Sequence, residues 1–299
     1  MTTSTTHGAG ELQLFALTAE GPRELAVRAS GGTVHDLLDE LPLGVYSAMR
    51  TFGHNRFLWL DAHFERTERS MHALGWSTKL DRALVSRALH STTSAYKLAD
   101  ARVRFDVLRE PFTLGGATSN LFVALSPFVP VPEKFMQEGV SIDLAQHLHR
   151  DQPKIKTTEF VRVRRPLPLG TQERYEHLLL DEQGRALECS SSNIVFVRGR
   201  ELIFAGSGVL EGITLKVIQH LAPRLGLTLR DQRLTLGEIA HVDEAFLSSS
   251  SRGIVPIVNV AGYFIRDGRV GPQTRRLIDA YYAFADREAR SATEVQSRR

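Results

Sequence analysis

Residues 177–214, HLLLDEQGRALECSSSNIVFVRGRELIFAGSGVLEGIT, carry most of the information about the fold of this 299-residue chain. Short apolar runs alternate there with glycine and polar turns, which is typical of β-strands. The strands are predicted at 177–181, 193–197 and 201–204. Gly212 then precedes an amphipathic helix, predicted at 214–225. Many short strands with few helices indicate a closed or strongly curled sheet rather than a doubly wound one.

Strands and helices of the same kind are predicted on both sides of this stretch. Downstream and just upstream we expect strands at 140–144, 244–249 and 254–260 and a helix at 272–285. The first part of the chain combines strands with two helices. Its strands are predicted at 11–27 (with a turn at 20–22), 45–51, 56–60, 102–108 and 122–125, and its helices at 62–74, with Asp61 as N-cap, and 81–97.

The length of the chain predicts two domains, because 299 residues exceed the usual size of a single core. Pro127, Pro130 and Pro132 mark the expected boundary. The predicted fold class is α/β (α+β), with a smaller N-terminal α/β sandwich and a C-terminal strand-rich pseudo-barrel with flanking helices. The expected limits are a disordered tail at 1–10, an N-terminal domain at 11–126, a linker at 127–137, a C-terminal domain at 138–285 and a loose charged tail at 286–299.

The composition excludes several classes of function. The net charge of +3 comes from 37 basic and 34 acidic residues that are interspersed, so no nucleic-acid partner is expected. The single cysteine, Cys189, excludes an intrachain disulfide and a cysteine-cluster metal site, and no metal is predicted. The N-terminus does not read as a signal peptide, and no apolar run is long enough to cross a membrane. We therefore expect a cytoplasmic protein without a membrane partner.

Three segments carry residues that suit covalent catalysis and anion binding. Lys154 and Lys156 are candidate nucleophiles, and in a strand they would point to the same face, so periodicity does not choose between them. Glu188 ends the run Arg185-Ala186-Leu187 and is followed by Cys189, three serines and Asn193. Gly212 precedes a helix whose first backbone N–H groups suit a phosphate dianion.

In this order the segments resemble the fold-type IV pyridoxal-phosphate enzymes, which include branched-chain and D-amino-acid aminotransferases and aminodeoxychorismate lyase. The resemblance covers about residues 44–281. It rests on Ile155-Lys156-Thr157, on Glu188-Cys189-Ser190-Ser191-Ser192-Asn193, where the family has glycine in place of cysteine, and on Gly212-Ile213-Thr214. It implies pyridoxal 5'-phosphate as cofactor and a homodimer.

The resemblance also implies a role for each matching residue. Lys156 would form a Schiff base with the cofactor and carry the proton from the substrate Cα, which requires a free amine. Its neighbouring threonine and its distance from Glu188 favour it over Lys154. Glu188 would pair with the pyridine nitrogen and keep the ring an electron acceptor. Leu210 would pack on the ring. The residues implied at the phosphate are Arg66, Ile213, Thr214 and Ser250.

The substrate side matches the family less well. Ser47 stands where aminotransferases of this group usually have glutamate, and Leu215 replaces an arginine that typically follows Gly-Ile-Thr. We expect Tyr46, Arg104 and Ser251 to contact the substrate, with Arg104 holding a carboxylate through paired N–H groups.

The expected function is a pyridoxal-phosphate-dependent aminotransferase that moves an amino group between an amino acid or amine and a 2-oxo acid acceptor. Two alternatives stay open. One is a lyase that eliminates pyruvate from an aminodeoxychorismate-like substrate, and the other is a catalytically degenerate homologue that binds a cofactor or a partner. The stereochemistry of the donor also stays open, because enzymes of both specificities share this fold and cofactor.

Overall fold

The computed structural model describes residues 12–26, 41–145, 148, 150–164 and 171–294. Contacts between residues divide the chain into two compact units. The first unit comprises Met1–Val129, Lys156–Glu159 and Glu288–Arg299, and the second comprises Pro130–Ile155 and Phe160–Arg287. The linker at 127–137 and the other domain limits stay predictions, and the tail at 1–10 lies outside the described residues.

The first unit contains a five-stranded sheet with helices packed on it. Its elements are β1 (Gln13–Thr18), β2 (Gly21–Glu24), β3 (Gly44–Arg50), β4 (Arg56–Phe57), α1 (Leu60–Ala73), α2 (Arg82–Ala95), β5 (Ala101–Leu114) and β6 (Ala117–Pro127). The strand order is β2-β1-β6-β5-β3, and every neighbouring pair is antiparallel. Helix α1 contacts β3, whereas α2 contacts β1, β2 and β6. Leu14, Leu108 and Phe122 belong to its buried core.

Strands β5 and β6 form one hairpin that is longer than the two strands predicted at 102–108 and 122–125. The turn consists of Gly115 and Gly116, both with positive φ, at 56° and 75°. Two successive positive φ values suit the tight turns that join twisted antiparallel strands. This hairpin carries Arg104 and Asp106 and pairs with β3, so Asp106 lies opposite Tyr46 and Arg104 lies opposite Ala48.

The prediction of Asp61 as the N-cap of α1 was wrong. The helix begins at Leu60, and its N-cap is Trp59 in a left-handed conformation with φ 51° and no side-chain capping bond. Leu60 is buried, so packing rather than capping chemistry places the start of the helix. Asp61 lies instead in the first turn, where its negative charge interacts favourably with the helix dipole.

The second unit contains a mixed sheet of nine strands. Its elements are α3 (Glu133–Glu138), β7 (Val140–Leu144), α4 (Thr158–Arg164, whose first two residues are grouped with the first unit), β8 (Glu176–Leu180), β9 (Ala186–Cys189), β10 (Asn193–Arg198), β11 (Glu201–Phe204), α5 (Ile213–Leu221) followed by a 3-10 turn (Ala222–Leu225), β12 (Thr228–Asp231), α6 (Leu236–Ile239), β13 (Glu244–Ser249), β14 (Gly253–Val260), β15 (Tyr263–Phe264) and α7 (Pro272–Glu288). The strand order is β12-β11-β10-β13-β14-β7-β8-β9, with β15 on β14. Helix α5 contacts β13, and α3 contacts β14.

The sheet brings together strands that are far apart in sequence. Strand β7 lies between β14 and β8 and is parallel to both, whereas β10, β13 and β14 are successive antiparallel neighbours. The predicted fold class is confirmed: the structure is mixed α/β, with a curled strand-rich sheet and flanking helices.

The prediction of a loose tail at 286–299 was wrong for its first residues. Helix α7 continues to Glu288, and β16 (Arg290–Ser291) pairs with β4 in the first unit. Ala289 and Ala292 are buried there, so two small side chains anchor a segment without large apolar residues.

No helix in the described part of the chain is long and apolar enough to cross a membrane. Within the same residues no group of three or more histidine, cysteine, aspartate or glutamate side chains is arranged to bind a metal ion.

Candidate active site

In the second unit, Glu188 is a buried carboxylate whose two oxygens both accept hydrogen bonds. It lies on β9 and is 4% exposed. Its Oε1 accepts from Arg150 Nη1 at 2.5 Å, and its Oε2 accepts from Asn193 Nδ2 at 3.3 Å and from the Leu210 N–H at 3.2 Å. A buried carboxylate is tolerated only with such donors. Groups from three separate segments therefore hold Glu188 in one place.

Asn193 connects Glu188 to the turn before α5. Its Nδ2 also donates to the Leu210 carbonyl at 2.8 Å. Its Oδ1 lies 1.9 Å from the position that a Cβ on Gly212 would occupy. The φ of Gly212 is an ordinary −70°, so glycine is needed there for space and not for backbone conformation. The motif that contains Asn193 was recognised from the sequence, but its contact with Leu210 was not.

The first turn of α5 presents backbone N–H groups without a side-chain cap among the described residues. Gly212 is the N-cap in an extended conformation, and Ile213 and Thr214 are the first two helical residues, both buried. The first N–H groups of a helix have no partner within the helix, and the helix dipole favours an anion beside them. This donor set fits a phosphate group.

Ser250 and Ser251 lie between β13 and β14, in a turn that closes where Ser249 pairs with Gly253. Both serines are half-buried. Glu244, at the start of β13, has a structural task, because its carboxylate accepts from the Gln273 and Thr274 N–H groups at the start of α7, at 3.0 and 2.7 Å. The hairpin therefore presents the two serines from a strand that is fixed at its other end.

In the first unit, the backbone of Lys156 is attached to β3. Tyr46 N donates to the Lys156 carbonyl at 3.1 Å, and Val45 forms an antiparallel bridge with Thr157. The Lys156 Nζ lies 4.7 Å from the centre of the Tyr46 ring. Lys156 is half-buried whereas Lys154 is exposed, so burial favours Lys156 where strand periodicity could not.

Arg66 belongs to a buried polar cluster with Ser47 and His63. Ser47 Oγ lies 2.8 Å from His63 Nδ1 and accepts from Arg66 Nη2 at 3.0 Å. Burial lowers the pKa of His63 well below 6.5, and the positive charges of Arg66 and Lys156 act in the same direction. The cluster therefore holds Arg66 beside a neutral imidazole. The serine that replaces the usual glutamate is the group that joins the two side chains.

Arg104 is bound to Asp106 on the same strand. Arg104 Nε donates to Asp106 Oδ2 at 2.8 Å and Nη2 donates to Oδ1 at 2.5 Å, while the guanidinium lies 4.1 Å from the centre of the Tyr46 ring. Burial raises the pKa of Asp106 and outweighs the opposing effect of Arg104. A substrate carboxylate would meet Arg104 at its other edge, Nη1 and Nη2, because Asp106 occupies the Nε edge.

The structure groups the predicted site residues into two sets. The first unit contains Tyr46, Arg66, Arg104 and Lys156, and the second contains Glu188, Leu210, Ile213, Thr214, Ser250 and Ser251. The sequence interpretation missed Arg150 and Asp106. Arg150 gives no signal in one sequence, because its partner Glu188 is 38 positions away. Asp106 could have been found, because strand alternation places it on the same face as Arg104.

The family model of the class IV amino-transferases matches residues 44–260. That match covers most of the chain and includes the Lys156, Glu188 and Gly212 segments. This chain belongs to the class IV aminotransferase family. The prediction of an aminotransferase of this family is thereby confirmed.

Curated relatives of this class IV aminotransferase have two specificities. A branched-chain-amino-acid aminotransferase of Pseudomonas aeruginosa is 25% identical over 258 residues, which is 80% of this chain and 83% of that protein. A D-alanine aminotransferase of Listeria innocua is 26% identical over 247 residues, or 78% and 84% of the two chains. The chain is thus about equally similar to a branched-chain and to a D-alanine enzyme.

Solved structures show the same fold. A branched-chain amino acid aminotransferase from Thermobaculum terrenum, determined in its PLP form, superposes with a TM-score of 0.73 at 21% identity. The superposition covers 94% of this chain and 98% of that one. The fold is therefore shared over nearly the whole length of both proteins.

Proposed function

We propose that this class IV aminotransferase uses pyridoxal 5'-phosphate to move an amino group between an amino acid or amine and a 2-oxo acid. The observation that carries the proposal is the donor set of the second unit. A buried carboxylate at Glu188 is joined through Asn193 to an uncapped helix start at Gly212. The carboxylate suits a cationic ring nitrogen, and the helix start suits a phosphate dianion.

We assign each predicted residue to one part of the cofactor: the ring nitrogen, the ring face or the phosphate. Glu188 would hold the ring nitrogen as a charge partner, and Leu210 would pack on the ring. The phosphate would be bound by the N–H groups of Ile213 and Thr214, by the Ser250 hydroxyl and by the Arg66 guanidinium. The Arg66 side chain is already oriented by Ser47.

Lys156 is the proposed catalytic residue. When bound, pyridoxal phosphate supplies an aldehyde for the amino group and a ring that accepts electrons. Lys156 Nζ would bind that aldehyde in the resting enzyme and, once the substrate amino group has displaced it, would be the free amine that takes the proton from the substrate Cα. Its backbone bonds to β3 fix the origin of the side chain, and Tyr46 limits where Nζ can lie. A fixed base contributes about 10²–10⁴-fold to such a proton transfer.

Tyr46, Arg104 and Ser251 are proposed substrate contacts. Arg104 would bind the carboxylate of the amino acid and of the 2-oxo acid through its Nη1 and Nη2 groups. Asp106 would keep the guanidinium plane in one orientation through its two hydrogen bonds. We propose further that the enzyme is a homodimer and acts in the cytoplasm, where its single buried cysteine would stay reduced.

The test compares Lys156→Ala with Lys154→Ala, an exposed lysine two residues away. The wild type and Lys154→Ala should show a visible absorption band with pyridoxal phosphate and transfer amino groups from a panel of L- and D-amino acids to 2-oxoglutarate or pyruvate. Lys156→Ala should lose the band and the transfer. An unchanged band in Lys156→Ala would refute the assignment of this lysine.

The same panel separates the alternatives. Repeated turnover of an aminodeoxychorismate-like substrate to pyruvate, beyond one equivalent per enzyme and without any added acceptor, would indicate a lyase. A cofactor band with no turnover across the panel would indicate a homologue that binds the cofactor without catalysis.

A further inference from the structure

We propose that Glu176 is a positioning residue for the cofactor site. Its carboxylate fixes the serine turn 190–192 directly and the turn 249–253 through Arg252. The proposal rests on the proposed function, in which Glu188 and Ser250 hold pyridoxal phosphate. Neither Glu176 nor Arg252 belongs to the residues that the family resemblance implies at the cofactor.

Glu176 accepts hydrogen bonds from all three serines that follow Cys189. It is the first residue of β8 and is fully buried. Its Oε1 accepts from Ser190 Oγ and from the Ser191 N–H at 3.1 Å. Its Oε2 accepts from Ser191 Oγ at 2.6 Å and Ser192 Oγ at 3.2 Å. The turn that joins Glu188 to Asn193 is therefore folded around one carboxylate.

Arg252 extends this network to the second turn. Its Nη2 donates to Glu176 Oε2 at 2.7 Å and to Ser191 Oγ at 2.8 Å, and its Nε donates to Ser249 Oγ at 3.2 Å. Ser249 and Arg252 flank the candidate phosphate ligand Ser250. The Glu176–Arg252 ion pair thus connects the turn that follows Glu188 with the turn that carries Ser250.

The charge of Glu176 is retained in this buried position. Burial alone would raise the pKa of Glu176, but the charge of Arg252 and the hydroxyls of Ser190 and Ser191 together lower it. A carboxylate with several donors fixes their directions, because each oxygen accepts along defined lone pairs. Loss of the charge would replace one acceptor oxygen by a donor group and weaken the remaining hydrogen bonds to the hydroxyl and guanidinium donors.

The test uses Glu176→Gln, Arg252→Met and Arg252→Lys as purified apo-proteins. The measured quantities are the dissociation constants of pyridoxal phosphate, followed by fluorescence, and of inorganic phosphate, followed by calorimetry. The matched control is Arg185→Met, which removes an arginine paired with Asp181 at the opposite end of β9. We expect Glu176→Gln and Arg252→Met each to weaken both affinities at least tenfold, Arg252→Lys to recover much of the loss, and Arg185→Met to bind as the wild type.

The two single variants change the net charge in opposite directions. A long-range electrostatic effect would make Glu176→Gln bind phosphate more tightly and Arg252→Met less tightly, whereas positioning predicts weaker binding in both. Tighter phosphate binding by Glu176→Gln, or wild-type affinity in both variants, would overturn the proposal. So would an equal loss in Arg185→Met.

Failure of this proposal can be distinguished from failure of the proposed function. Wild-type protein that does not bind pyridoxal phosphate would overturn both, whereas a binding wild type with unaffected variants would overturn only the role of Glu176. If Glu176→Gln does not fold, the pair Arg252→Met and Arg252→Lys decides the question, because Arg252 is partly exposed.

Discussion

Two fully buried carboxylates, Asp106 in the first unit and Glu176 in the second, are each paired with an arginine, but their surroundings shift their pKa values in opposite directions. Burial raises the pKa of Asp106, and Arg104 only partly offsets this effect. The pKa of Glu176 is lowered even though burial acts to raise it, because Arg252 and two serine hydroxyls stabilise the anion. The two pKa values shift in opposite directions because Glu176 accepts hydrogen bonds from more donors than Asp106 does.

The presence of a buried ion pair therefore does not show how much it stabilises the folded state. Taking both charges out of water is costly, and additional hydrogen bonds decide the balance. Asp106 has the Nε and Nη2 groups of one arginine, whereas Glu176 also has serine hydroxyls and a backbone N–H. We therefore expect removal of Arg104 to destabilise the protein more than removal of Arg252.

The largest expected effect comes from removing each arginine. Arg104→Leu should lower the free energy of unfolding by about 3–5 kcal/mol, because it leaves a buried aspartate without its partner. Arg252→Leu should cost less, about 1.5–3 kcal/mol, because the serines still hydrogen-bond to Glu176. Urea unfolding followed by circular dichroism measures both. Equal losses would show that the serine donors contribute little.

A smaller effect is expected at the turn that Asn193 holds in the second unit. Gly212→Ala places a Cβ against Asn193 Oδ1 and should destabilise the protein by about 1–3 kcal/mol through overpacking. Gly237→Ala in α6 is the control, because among the described residues no atom beyond its chain neighbours and its own helix backbone lies within 4 Å of the added Cβ. It should be neutral or stabilising by up to about 1 kcal/mol. A harmless Gly212→Ala would contradict the tight contact seen in the structure.

The first unit should also respond to pH through His63. Its folded pKa is well below 6.5, so the unfolded state binds the proton first as the pH falls below about 6.5. Stability should then fall with decreasing pH, by at most about 1.4 kcal/mol per pH unit from this group. His63→Asn should remove that slope, whereas His72→Asn, at an exposed position of α1, should retain it. Urea unfolding between pH 5 and 8 gives the slopes.

The smallest expected effect is that the stability contributions of Glu176 and Asp106 change in opposite directions as the pH falls. Because the pKa of Glu176 is lowered in the folded state, its charge stabilises the protein above the unfolded pKa, and this stabilisation is lost as the pH falls through the folded pKa. The wild type should therefore lose its stability advantage over Glu176→Gln in acid. The raised pKa of Asp106 makes the stability of wild type relative to Asp106→Asn grow as the pH falls. Unfolding measured from pH 3 to 6 tests both trends, and parallel trends would contradict the comparison.

The candidate cofactor residues can be proposed from the sequence because they lie in short contiguous motifs. Glu188 and Gly212 stand next to recognisable serine and helix-start patterns, and the strands around them have clear apolar runs. Their supporting residues could not be predicted. Arg150 is 38 positions from Glu188, and Arg252 is 76 positions from Glu176, so only the fold brings each pair together.

Local patterns were also misleading where small or apolar residues decided the structure. Asp61 has the chemistry of an N-cap, but burial of Leu60 starts α1 two residues earlier than predicted. Residues 289–294 contain no large apolar side chain, yet Ala289 and Ala292 are buried beside the β16–β4 pairing. Burial of a small side chain depends on neighbours that a local pattern does not contain.

The sequence by itself determined the family, the order of the strands along the chain and the motifs around Lys156, Glu188 and Gly212, because these features depend on residues that are adjacent in the chain. Only the tertiary structure decided that Lys156 rather than Lys154 is half-buried, that Asn193 joins Glu188 to the helix start, and that Glu176 and Asp106 differ in their donors. Burial and hydrogen bonding depend on groups brought together from distant positions, and those positions are set by the fold.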